Sequence, residues 1–168
     1  MRKRCLIGLI LLFSLSPLGA TKVALSIGTW NLPAKNDVVA EATFVQTGFL
    51  FSFARRWEVE AFLISEATPQ VGHQLLVGSA ITLALLGVTD PPPEIVPSYL
   101  NLYLSLGFMG RLDSLDSAYG PFIRLSPLAV GGPRFKLRER SLNFSLFYNI
   151  PHNSFTIFWN IFLLDFFI

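Results

Sequence analysis

Past its first twenty residues the chain contains no cysteine, two histidines, and no apolar run long enough to cross a bilayer as a helix. The missing cysteine excludes a disulfide framework and any thiolate metal centre. His73 and His152 lie 79 positions apart, with no compact carboxylate cluster beside them, so neither a metal nor a cofactor is expected. A spanning helix needs about 20 mostly apolar residues. Segment 75–88 supplies fourteen before Asp90 and a triple proline, and segment 155–168 supplies fourteen interrupted by Asn160 and Asp165. No phosphate-binding loop is present, because Gly131-Gly132-Pro133 lacks the adjoining lysine and helix. Charge is scarce as well: 14% of residues are charged against 52% hydrophobic. A water-soluble domain of this size must hydrate its surface, so the apolar surplus calls for a nonpolar solvent.

The first twenty residues have the anatomy of an export signal. Arg2, Lys3 and Arg4 form a basic start, 5–15 an apolar stretch that includes Cys5, and Leu18-Gly19-Ala20 a small-residue cleavage site. The expectation is therefore a signal peptide at 1–20 and one domain at 21–168, with a retained N-terminal anchor as the alternative. Three of the thirteen basic residues lie in the leader, leaving ten against eleven acidic ones and a formal charge of −1. No basic stripe remains that would point to nucleic acid.

What the mature chain does have is a two-residue alternation. Leu100, Leu102, Leu104, Leu106 and Phe108 share one parity, with Asn101, Tyr103, Ser105 and Gly107 between them. One greasy face and one small or polar face arise from such a stretch only if it is extended. The pattern returns often enough to predict strands at about 22–31, 40–53, 57–66, 74–87, 98–110, 119–130, 136–150 and 154–168. In lipid, only helices and closed barrels satisfy every backbone hydrogen bond internally, and the spans here are too short for helices. The predicted fold class is all-β, an eight-stranded antiparallel up-and-down transmembrane β-barrel. A soluble exported ligand carrier would need the opposite arrangement, apolar inside and polar outside.

Parity then assigns candidate residues. Glu58 and Glu60 on strand 3 point into the lumen together with Glu66, and Arg124 on strand 6 faces them. An ion-pair plug is the simplest reading of these groups, since an eight-stranded lumen is just wide enough to be filled by side chains. A polar ligand seat or proton site is the functional alternative. Lys136, Arg138 and Arg140 fall on the parity that becomes lipid-facing further along strand 7, which places three cations at an interface where they snorkel. Many lumen positions are small, including Gly28, Gly48, Gly78, Ala80 and Gly107, which predicts a narrow cavity. The aromatic residues near strand ends, among Trp30, Trp57, Tyr99, Tyr119, Tyr148 and Trp159, are expected in an interfacial girdle. In strand 8, placing Phe166 and Ile168 toward lipid sends Asp165 inward and leaves Asn160 outside, the cheaper of the two exposures. The stretch 88–97 carries four prolines and is a connection.

Taken together, the leader, the absence of mature cysteine, the alternating strands and the apolar closing strand resemble the small eight-stranded outer-membrane β-barrels of diderm bacteria. In that class the last strand ends in an assembly signal of apolar residues at every second position, closed by an aromatic. Phe162, Leu164, Phe166 and Ile168 give that spacing, with Ile at the end. The resemblance implies Sec-type export, an outer-membrane location, and dealings with outer-membrane lipids, periplasmic chaperones and the barrel-assembly machinery. A shorter run, Ser145-Leu146-Phe147-Tyr148-Asn149-Ile150-Pro151, is similar to the ending of the lipid A 3-O-deacylase barrels. That family carries a His-x-Ser-Asn motif on the preceding strand, where this chain has Leu125-Ser126-Pro127-Leu128-Ala129-Val130-Gly131-Gly132. His152-Asn153-Ser154 has the His-x-Ser spacing, but in a proline-led turn where Asn and Ser serve turn chemistry. The expected function is a non-catalytic integral outer-membrane barrel with a structural or permeability role. A narrow channel or carrier for small apolar solutes and a divergent lipid A deacylase are the alternatives.

Overall fold

The computed structural model describes residues 22–31, 43–53, 56–66, 75–86, 101–112, 118–133 and 136–168. Residues 1–20, expected to be a signal peptide, the four-proline stretch 88–97, His73, Tyr99 and the side chain of Glu66 lie outside the described residues. Eight strands form a closed antiparallel barrel in sequential order. They are β1 (Lys22–Asn31), β2 (Thr43–Ser52), β3 (Trp57–Glu66), β4 (Leu75–Ala84), β5 (Asn101–Arg111), β6 (Tyr119–Gly132), β7 (Leu137–Asn149) and β8 (Ser154–Phe167). The all-β, up-and-down class predicted from the alternation is the one observed.

Closure comes from β8 pairing with β1, with Phe166 opposite Leu25 and Phe167 opposite Ala24. The last peptide adds a bond of its own, as Ile168 N donates to Val23 O at 3.0 Å. A closed barrel has no unpaired edge, the condition a sheet must meet in hydrocarbon. Its outer wall is apolar: Phe49, Ile81, Leu106, Phe144, Phe155 and Ile157 are each at least half exposed, from 50% to 66%. Among the described residues no helix is long and apolar enough to cross a membrane. A barrel clothed in exposed Leu, Ile and Phe is consistent with a membrane barrel.

Three strands do not keep one parity throughout. On β7, Arg138 and Arg140 point inward, then Ser141 and Leu142 both stay out of the lumen, and Asn143, Ser145, Phe147 and Asn149 point inward again. Leu142 adopts φ 54°, a left-handed conformation that steps the chain by one residue. On β8 the same step occurs at Ile161 and Phe162, and on β6 at Pro127 and Leu128. The three extra residues lie side by side, so the register from β6 to β8 is the same on both sides of the step: Leu125 opposite Phe144, Leu128 opposite Ser141, and Ser141 opposite Phe162. The mismatch surfaces only at the borders, between β5 and β6 at Asn101/Tyr103 and between β1 and β8 at Gly28/Asn31. Pro127, which has no amide hydrogen to give a ladder, occupies the step on β6, where bulges accept proline.

This step corrects two sequence expectations. Arg138 and Arg140 are not snorkelling cations but fully buried lumen residues, while Lys136 remains exposed in the turn before β7. Asn160 is also inside rather than facing lipid, because the step at Ile161 and Phe162 lets it share the lumen with Asp165. Phe162, Leu164, Phe166 and Ile168 all stay on the outer side. Deleting residues 166–168 removes the closing pairs to β1. We expect the truncated protein to lose the compact, heat-modifiable gel band after refolding into detergent, and retention of that band would contradict closure through these residues.

Candidate functional site in the barrel lumen

Among the described residues the lumen buries three arginines and three carboxylates. Glu58 and Glu60 come from β3, Arg124 from β6, Arg138 and Arg140 from β7, and Asp165 from β8. Two-residue spacing on an extended strand gives Glu58 and Glu60 one direction, and it does the same for Arg138 and Arg140. The pairs meet across the barrel. Arg138 places Nη1 and Nη2 on the two oxygens of Glu58 at 2.8 and 3.0 Å, a bidentate fork, and turns Nε to Asp165 Oδ2 at 2.7 Å. Arg140 joins Asp165 Oδ1 at 2.8 Å to Glu60 Oε2 at 3.4 Å. Arg124 closes the series on Glu60 Oε2 at 2.6 Å.

Neutral side chains extend the lattice at both ends. Ser26 on β1 donates to Asp165 Oδ1 at 2.6 Å, and Arg138 Nη1 donates to the Tyr103 hydroxyl at 3.1 Å. Trp30 Nε1 donates to Gln46 Oε1 at 2.6 Å, and Gln46 in turn donates through Nε2 to Glu60 Oε1 at 2.7 Å. Further up β7, Asn143 donates to Asn160 and to the carbonyl of Arg140. Arg124 Nε and Arg140 Nε have no hydrogen-bond partner among the described residues. Aromatic faces cover part of that deficit. The Arg124 guanidinium carbon lies 5.7, 5.6 and 5.7 Å from the ring centres of Trp30, Phe62 and Phe122, and that of Arg138 lies 4.8 Å from Tyr103.

Beyond Arg124, toward the end of the barrel opposite Lys22 and Phe167, the lumen is lined mainly by apolar side chains, with Asn149 and Thr156 buried among them. Trp30, Phe44, Phe62, Ile64, Leu76 and Met109 pack there with Phe122, Phe147 and Phe158. Phe62 meets Phe122 edge to face at 5.7 Å, and Phe147 meets Phe158 in the same way at 6.2 Å. The narrow cavity expected from the small lumen residues is absent here: the void beside Arg124, Gln46 and Phe62 holds about 10 Å³. Small positions are seats for neighbouring side chains. A Cβ built on Gly78 would stand 2.5 Å from the Phe62 ring, and one on Gly107 would stand 2.6 Å from the Phe122 ring. Trp30, expected in an interfacial girdle, is likewise inside. Its parity is that of Ala24 and Ser26, and its indole nitrogen needs the partner that Gln46 provides. Trp57 and Tyr119 face outward and are exposed.

Two of the sequence-derived residues, Glu60 and Arg124, thus form a pair, whereas Glu58 is held by Arg138 instead. The sequence reading missed Arg138 and Arg140, and a signal for them was present. An Arg-x-Arg on one strand and a Glu-x-Glu on another are complementary when both spacings equal the pleat repeat. His152 is exposed in the turn between β7 and β8, and the Ser154 hydroxyl has no hydrogen-bond partner among the described residues, so the two are not coupled in this structure. No group of three or more metal-ligating side chains occurs among the described residues. No family model, curated protein or solved structure matches this chain.

Removing one arginine strands different amounts of charge. Arg138→Leu leaves Glu58 without its fork and Asp165 with only Arg140 and Ser26, a loss of about 3–5 kcal/mol for a broken buried pair. Arg124→Leu should cost less, because Glu60 keeps Arg140 and Gln46. Urea midpoints after refolding into detergent are expected in the order wild type, Arg124→Leu, Arg138→Leu from highest to lowest. Equal midpoints for the two variants would contradict the lattice as described.

Proposed function

We propose that this protein is an integral outer-membrane β-barrel of a diderm bacterium, exported by a cleaved leader, non-catalytic, and structural rather than conducting. The observation that carries the reading is the combination of an apolar outer wall with a lumen filled by a neutral ion lattice and aromatic packing. A channel needs continuous water-accessible space, and the void beside Arg124 is about the volume of one water. Six buried charges balance to zero, so nothing in the lattice attracts a permeant ion of either sign. Outer-membrane lipids would be the constant partner. The outward row Phe162, Leu164, Phe166 and Ile168 has the spacing that barrel-assembly machinery reads in this class, after periplasmic chaperones deliver the chain.

The packed lumen gives no support to the solute-carrier alternative, and the uncoupled His152 and Ser154 give none to the deacylase alternative. Carbonate washing should leave the protein in the membrane fraction, and the folded form should migrate differently on gels before and after boiling. In planar bilayers the wild type should show no discrete conductance steps. Extraction by carbonate would refute the membrane assignment, and regular single-channel steps would refute the filled lumen.

A further inference from the structure

Among the described residues of the eight strands, one charged side chain lies on the outward parity: Glu139, opposite Val130 on β6 and Leu164 on β8. It is exposed, and it does not sit at the edge of the apolar wall. Leu137 and Phe166, paired with each other, are exposed on the rim side of it, and Leu142 and Ile161 are exposed on the other side. One row of side chains, about 7 Å of strand, separates it from the end of the barrel that carries Lys22 and Phe167. Its Oε1 accepts a hydrogen bond of 2.7 Å from Ser141 Oγ, which holds the carboxylate against the wall, while Oε2 has no partner among the described residues.

A carboxylate in that setting needs a cation, and the reach limits which one. Water is excluded by the flanking Leu and Phe once lipid covers the wall, whereas a lipid headgroup lies within about one side-chain length of the row. A headgroup with a primary ammonium brings both the opposite charge and N–H donors, giving a charge-assisted hydrogen bond. A choline headgroup brings charge without a donor. We infer that Glu139 and Ser141 form a headgroup site on the lipid-facing wall, selective for a lipid bearing a primary ammonium, of the phosphatidylethanolamine kind, in the leaflet at the end of Lys22 and Phe167. The inference rests on the membrane reading above.

The test is lipid retention by the full mature chain, refolded into vesicles of equal phosphatidylethanolamine and phosphatidylcholine, extracted in a mild detergent, and weighed with its bound lipid by native mass spectrometry. Wild type should retain the ethanolamine lipid about threefold to fivefold over the choline lipid. Stepwise N-methylation of the headgroup should erode that preference in the unaltered protein, so the result does not depend on a variant folding. Glu139→Gln, which keeps a partner for Ser141 and removes the charge, should abolish the preference while leaving the heat-modifiable band intact. Equal retention in wild type, or a preference that survives Glu139→Gln, overturns the inference alone. A change of oligomeric state in Glu139→Gln without a change in lipid preference overturns it in favour of a protein cation. Failure to insert into any vesicle overturns the membrane reading and this site with it.

Discussion

Ionised groups inside so narrow a barrel must balance among themselves, because neither water nor lipid is at hand to solvate a surplus. That constraint organises the molecule. Arg138 sits at its centre, gripping Glu58 through both terminal nitrogens and Asp165 through Nε. Arg140 and Arg124 then share Glu60, so that three positive and three negative side chains neutralise one another in one connected series. With Ser26, Gln46 and Tyr103 attached, the lattice draws on every strand except β4. A single misplaced strand would leave a charge buried and unpaired, which is far costlier than the modest net gain of a satisfied pair. Such a lattice specifies register more than it adds stability.

The stepped parity of β6, β7 and β8 follows from the same requirement. With an unbroken alternation β7 would have to choose between burying Arg138 and Arg140 and burying Asn143 and Asn149. Either choice sends polar groups to the apolar outer wall, away from the partners that the lumen supplies. One extra residue per strand, aligned on three neighbours, avoids the choice without breaking the ladders between them. The lumen is thereby divided into an ionic half and an aromatic half. Arg124 stands at the boundary, with Glu60 on one side and the faces of Trp30, Phe62 and Phe122 around it.

Strand positions were legible because alternation is a direct image of the pleat. The bounds of β1 and β3 coincide with those read from Val23, Leu25 and Ile27 and from Trp57, Val59 and Ala61. The inward direction of Arg124, Glu58 and Glu60 was legible for the same reason. What the alternation hid was a change of phase, since a pattern of period two carries no mark of where an extra residue is inserted. Counting back from Phe144 and Leu146 put Arg138 outside, and counting back from Phe166 put Asn160 outside. The physical clue was energetic: three cations on one lipid-facing row, matched by a Glu-x-Glu that lacked its second arginine. Small residues misled in a related way, because Gly78 and Gly107 look like open space until the rings of Phe62 and Phe122 are seen to fill it.

The step in β7 is the feature on which both the lattice and the apolar character of the wall depend, and site-directed spin labelling reads it directly. No cysteine occurs in residues 22–168, so single cysteines at 137, 139, 142, 143, 144, 145 and 146 can each carry a label in the vesicle-embedded protein. Oxygen, which concentrates in the hydrocarbon, should relax labels at 137 and 139 and also those at 142, 144 and 146, while those at 143 and 145 stay protected. An unbroken alternation, with 137 and 139 as protected as 143 and 145, would contradict the account.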